Sequence, residues 1–214
     1  MKQEQLPNVV FIHGSGQSEI SFNYIDIFLP ERNSLYLNYQ IQENYTDIVS
    51  RFVDKIHSTF SNEPIYMVGH SYGCLLAAVA SVKIKNATKH LFAMSAPWKG
   101  SQASKWLSIV FRDSKLFANT RPDSDFLKEV HNIKSSVPIT NIITTGTDGI
   151  GNDLAGLGKK SNDGLITVET QKSIPDGLVN ISNIELPLSH SEVLLSFEIV
   201  ELLKEKLSLG YKHE

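Results

Sequence analysis

One cysteine in 214 residues, Cys74, excludes an internal disulfide framework. It lies among leucine and alanine residues, as a packed thiol does and a reactive one does not. Clustered charge is equally scarce. Twenty Lys and Arg against 23 Asp and Glu leave a net charge of −3, with no basic run, so nothing marks a nucleic-acid partner. No apolar stretch is long enough to span a bilayer, and residues 1–7 lack the hydrophobic core of a signal peptide. A cytoplasmic chain without stable membrane insertion is therefore expected. Repeats are absent too. The 41% hydrophobic content is ordinary for a globular protein, and the length predicts one domain over 1–214.

Strand-like and helix-like segments alternate along the chain. Short apolar runs at 8–12, 34–39, 65–68, 89–94, 137–145 and 178–186 read as strands. Helical spacing is found at 22–29, 45–60, 72–84 and 125–130, and in a closing segment through Leu207. Such alternation predicts an α/β fold, a mainly parallel sheet of about six strands with helices on both faces. Residues 98–132 break the rhythm and hold many large apolar groups. This insertion is expected to form a small helical cap, with Ser124 or Asp123 capping its last helix and with Trp98 and Trp106 binding substrate.

The densest chemistry lies at Gly69-His70-Ser71-Tyr72-Gly73, between an apolar strand and a helical run at 74–80. Strand, sharp turn and helix is the context in which Gly-x-Ser-x-Gly becomes a nucleophile elbow. The turn holds the serine in a backbone conformation costing about 1–3 kcal/mol, and glycines on either side let strand and helix close around it. Upstream, His13-Gly14-Ser15-Gly16-Gln17 ends the first strand with small residues whose amides can point into a cavity. His13 itself reads as a structural hydrogen-bonding residue.

A serine hydroxyl needs a base, and the base an acid to fix its tautomer. His190 follows the last strand and precedes the last helix, where a base belongs. The other histidines fit less well. His70 abuts Ser71 and should project away, His90 starts a strand at the wrong end of the sheet, and His57 is a surface or boundary residue on a helix. His131 lies near the insertion and is the rival, while His213 lies in a tail. After the fifth strand four carboxylates compete: Asp148, Asp153, Asp163 and Asp176. Asp148 is closest to the strand end, Asp163 sits in a turn followed by apolar residues, and chemistry alone does not separate these two.

The motifs taken together resemble those of the bacterial serine lipases of the α/β-hydrolase superfamily. The matching segments are His13-Gly14-Ser15, Gly69-His70-Ser71-Tyr72-Gly73 and Ala96-Pro97-Trp98-Lys99-Gly100-Ser101. Further along come Ser124-Asp125-Phe126-Leu127, Asn162-Asp163-Gly164-Leu165-Ile166 and Ser189-His190-Ser191-Glu192-Val193, in the family's order. The resemblance implies an α/β-hydrolase fold and a triad of Ser71, His190 and Asp163, with the amides of Ser15 and Tyr72 as oxyanion hole. It implies cleavage of a small-molecule or lipid ester through an acyl-enzyme, without a cofactor. An acyltransferase or thioesterase with the same triad, or a binding protein on this fold, are the alternatives. Some such lipases hold a structural calcium near the acid and histidine loops. Glu192 and Asp153 are the residues here that would contribute, but the sequence offers no dense carboxylate set, and no metal is expected.

Overall fold

The computed structural model describes residues 6–84, 88–100, 114–147 and 160–209. Six strands form one sheet: β1 (Asn8–Ile12), β2 (Asn33–Leu37), β3 (Ile65–His70), β4 (Thr88–Met94), β5 (Ile139–Thr144) and β6 (Ile181–Leu186). Their order is β2-β1-β3-β4-β5-β6, and every neighbouring pair is parallel. The sheet is therefore the one the alternating pattern predicts, with each strand within a few residues of its expected place.

Both faces of the sheet are covered, which is why its strands read as continuous apolar runs. Along β1, Val10 and Ile12 enter one hydrophobic cluster while Val9 and Phe11 enter the other. The same split divides Leu91 and Ala93 from Phe92 and Met94 on β4. The first cluster is closed by helices α2 (Tyr45–Phe60) and α3 (Tyr72–Lys83). Residues Ile48, Val49, Phe52, Ile56 and Phe60 of α2 form the buried stripe that their spacing predicts. Every residue from Tyr72 to Ser81 of α3 is buried, which explains its lack of a polar face. The second cluster is closed by α1 (Asn23–Phe28) and the C-terminal α7 (Phe197–Leu209), through Ile25 and through Ile199, Val200 and Leu203.

Of the expected cap, residues 101–113 lie outside the described residues. The remainder forms α4 (Lys115–Asn119) and α5 (Asp125–Asn132). Ser124 caps α5, its hydroxyl accepting from the Leu127 N–H at 3.1 Å. Phe126, Leu127 and Val130 of α5 pack into the first cluster. A short helix not foreseen in the sequence, α6 (Val168–Lys172), packs against β5.

Strand order reverses beside β1: the chain leaves β1 for β2 on one side and returns to β3 on the other. Crevices outside the carboxyl ends of strands at such a reversal are where ligands bind in open α/β sheets. The fit there is tight. A β-carbon on Gly73 would lie 2.3 Å from the Ile12 carbonyl oxygen and 2.4 Å from that of His13. A β-carbon on Gly69 would lie 2.8 Å from the Cα of Cys74. Gly16, by contrast, has φ +67° with open space around it. Gly73→Ala is expected to cost more than about 3 kcal/mol by forcing backbone apart. Gly16→Ala should cost only the left-handed strain of about 1–2 kcal/mol. Urea unfolding of the two variants checks this ranking.

Candidate active site

Ser71 terminates β3 and sits at the N-cap of α3 with φ 52° and ψ −125°. Two main-chain hydrogen bonds brace this strained residue: its N–H donates to the Met94 carbonyl at 2.8 Å, and its carbonyl accepts from Cys74 at 3.0 Å. Cys74 is buried, and burial pushes its thiol well above the ordinary range, in keeping with a packed group.

Asp163 is carried by a turn whose sequence explains its shape. The Asn162 side chain accepts from the Gly164 N–H at 2.7 Å, and Gly164 takes φ +91°. The turn folds back so that the Asp163 carbonyl accepts from the His190 N–H at 2.8 Å. The side chains meet as well, with His190 Nδ1–H donating to Asp163 Oδ2 at 2.8 Å. Asp163 is fully buried and accepts four further hydrogen bonds: from the Leu165 N–H at 3.0 Å, the Ile166 N–H at 2.7 Å, the Thr144 hydroxyl at 2.6 Å and Gln171 Nε2 at 3.1 Å. Burial would raise its pKa, but the hydrogen bonds and the neighbouring imidazole more than offset that and hold it below the usual carboxylate range.

Ser71 and His190 open on one cavity of about 240 Å³, which Ser15 and Tyr72 also line. Pro97, Leu116, Phe117, Leu165 and Ile166 form its apolar wall. Among the described residues no hydrogen bond joins the Ser71 hydroxyl to the His190 ring. Contacts of this kind are often long in a free enzyme and tighten only on substrate.

Sequence reasoning missed part of this site. His70 does not project away: its ring lines the cavity, 4.9 Å from the His190 ring centroid. A neutral ring has one N–H, which Nε2 donates to the His190 carbonyl at 2.8 Å, tying His70 to the histidine loop, while its Nδ1 lies 2.9 Å from Gln17 Oε1 on the turn after β1. Burial, reinforced by repulsion from His190, lowers its pKa to about 3 and keeps it neutral. His13 stacks on Tyr39 with ring centroids 4.5 Å apart, and its Nδ1 lies 2.7 Å from the Gly14 carbonyl oxygen. His131 bonds the Trp98 carbonyl at 2.9 Å, and His90 bonds the Thr140 hydroxyl at 2.8 Å. His57 is exposed on α2.

The expectation for Trp98 is corrected. Its side chain is fully buried, its indole N–H donates to Asn141 Oδ1 at 3.0 Å, and it does not line the cavity. An indole needs a partner for its one polar atom, and here the sheet supplies it. Trp106, Asp148 and Asp153 lie outside the described residues, as does His213. Glu192 accepts from the Ser189 N–H at 2.7 Å, and among the described residues no cluster of His, Cys, Asp or Glu is placed to hold a metal ion. Among the same residues no helix is long and apolar enough to cross a membrane.

A parallel sheet reversing beside β1, with a strained serine between β3 and α3, defines the class: an α/β-hydrolase architecture. The chain belongs to the family described as alpha/beta hydrolase fold, whose profile matches residues 7–134. Among solved structures it is similar to Bacillus licheniformis lipase BlEst2 in its mature form, at TM-score 0.67 and 14% identity, covering 97% of this chain and 94% of that one. Aspergillus fumigatus lipase B gives TM-score 0.67 at 13% identity over 95% of this chain and 52% of that one. Phospholipase PlaB from Legionella pneumophila gives 0.61 at 13% over 77% and 45%. Likenesses at such identities show the fold. Among curated proteins, 92 residues are 27% identical to a probable protein kinase UbiB of Vibrio vulnificus (strain CMCP6), covering 43% of this chain and 16% of that protein. The chain thus spans a small part of that relative and about half of the lipase B chain.

A histidine held neutral in the fold, against an ordinary pKa of 6.5 once unfolded, stabilises the protein fully above pH 6.5. That contribution is lost as pH falls from about 6.5 toward 3. Thermal unfolding of the wild type should therefore weaken across this window, and His70→Gln should flatten the dependence. His13 and His90, whose pKa values burial also lowers, contribute to the remaining slope, and at the acid end of the window so does Asp163, held below its usual range.

Proposed function

We propose that the protein is a serine ester hydrolase working through an acyl-enzyme. The observation that carries this reading is the buried hydrogen bond of His190 Nδ1 to Asp163, with the imidazole opening on the cavity that the Ser71 turn lines. Asp163 fixes the proton on Nδ1, leaving Nε2 as the base. Nε2 takes the proton from Ser71 Oγ as it attacks the ester carbonyl, and returns it to the leaving alcohol. Water then repeats the sequence on the acyl-enzyme. Charge on the carbonyl oxygen is held by the N–H groups of Ser15 and Tyr72, aided by the positive end of α3.

Lys, Arg, Asp and Glu are absent from the described lining of the cavity, and its wall is largely apolar. That favours a neutral ester with an apolar acyl group. Ser71→Ala and His190→Ala should fold normally and lose most of the rate on p-nitrophenyl esters, keeping about 10³–10⁴-fold over water from binding and main-chain donors. Asp163→Asn should lose about 10³-fold or more in kcat. Wild-type rates in these variants would defeat the proposal, and predominant transfer to an added alcohol or thiol would favour the acyltransferase alternative.

A further inference from the structure

We infer that Thr144 and Gln171 form a clamp that positions the acid of the proposed triad, an inference resting on that reading of the site. The difficulty the clamp solves is one of distance along the chain. Asp163 lies well past the end of β5, on a turn of its own, whereas its carboxylate must stand at the carboxyl edge of the sheet. Both Thr144 and Gln171 are fully buried, which for a glutamine demands partners for every polar atom.

Gln171 finds them on one residue. Its Oε1 accepts from the Thr144 N–H at 2.8 Å and its Nε2 donates to the Thr144 carbonyl at 3.0 Å. These two bonds fix which end of the amide is which. The second Nε2 proton is left aimed at Asp163 Oδ2, at 3.1 Å. Thr144 donates its hydroxyl to the same oxygen at 2.6 Å. Gln171 Oε1 also lies 3.2 Å from that hydroxyl, but the carboxylate oxygen is nearer and charged, and takes the proton. Ser95, at 2.8 Å, must then donate to Thr144.

Asp163 Oδ2 therefore receives a threonine proton, a glutamine proton and the His190 proton, and neither clamp residue lines the cavity. Helix α6, which carries Gln171, is itself tied to β5, since the Gln171 carbonyl accepts from Asn141 Nδ2 at 3.1 Å. The same Asn141 holds Trp98, so the indole belongs to this scaffold. Thr144 and Gln171 are positioning residues that keep Oδ2 in line with the imidazole and satisfy its remaining lone pairs.

The test uses Thr144→Val, which is isosteric, Thr144→Ser, which restores the hydroxyl, and Gln171→Met. A hydrogen bond to a charged group is worth a factor of about 10–100 in rate. Thr144→Val and Gln171→Met should lower kcat by that factor with KM within about twofold, and Thr144→Ser should recover to within about threefold of wild type. A second readout needs no turnover. The low-field NMR resonance of the proton between His190 and Asp163 should be displaced in both disrupted variants and restored in Thr144→Ser. Lowered unfolding temperatures with kcat and the resonance both at wild-type values would overturn the clamp. Retained activity in Asp163→Asn would instead overturn the proposed acid.

Discussion

A carboxylate taken wholly out of water is costly unless every lone pair is met, and the arrangement around Asp163 answers that constraint. Five donors reach it, two from the turn that carries it, two from side chains at the end of β5 and on α6, and one from His190. The rest of the site depends on this group. It fixes the imidazole's tautomer, and the His190 main chain is fastened to the same turn. Were the carboxylate free to rotate, the ring beside the Ser71 turn would lose its reference.

The strained serine poses the complementary constraint. A positive φ at a residue with a β-carbon persists only when its surroundings over-determine it. Here the glycines at 69 and 73 allow helix α3 to press against β1 and β3, and Met94 on β4 holds the serine amide. Three strands and a helix buried on all sides thus fix one side chain at the sheet's edge. His70 extends the bracing from that turn to the histidine loop through its hydrogen bond to the His190 carbonyl.

Much of this was legible in the sequence, and the reasons differ from residue to residue. The sheet could be read because its strands are buried on both faces and so appear as unbroken apolar runs between helical patterns. Ser71 and His190 were visible because each sits at a strand end with a distinctive local pattern. Asp163 was not separable from Asp148 by chemistry, since nothing in the sequence says how far a turn folds back; only the family's motif order chose between them. Trp98 was misplaced because a tryptophan after a strand looks the same whether it lines a cavity or fills a core. Thr144 and Gln171 left almost no trace. A threonine closing an apolar strand is commonplace, and a glutamine on a five-residue helix gains its meaning only from the residues that the fold brings to it.

The central claim is that the fold makes one serine hydroxyl reactive, and covalent trapping tests it most directly. The native chain, treated with a fluorophosphonate and digested, should carry a single phosphonyl group on Ser71, and the urea-unfolded chain should carry none. A folded protein that remains unlabelled, or is labelled at another residue, would contradict the account.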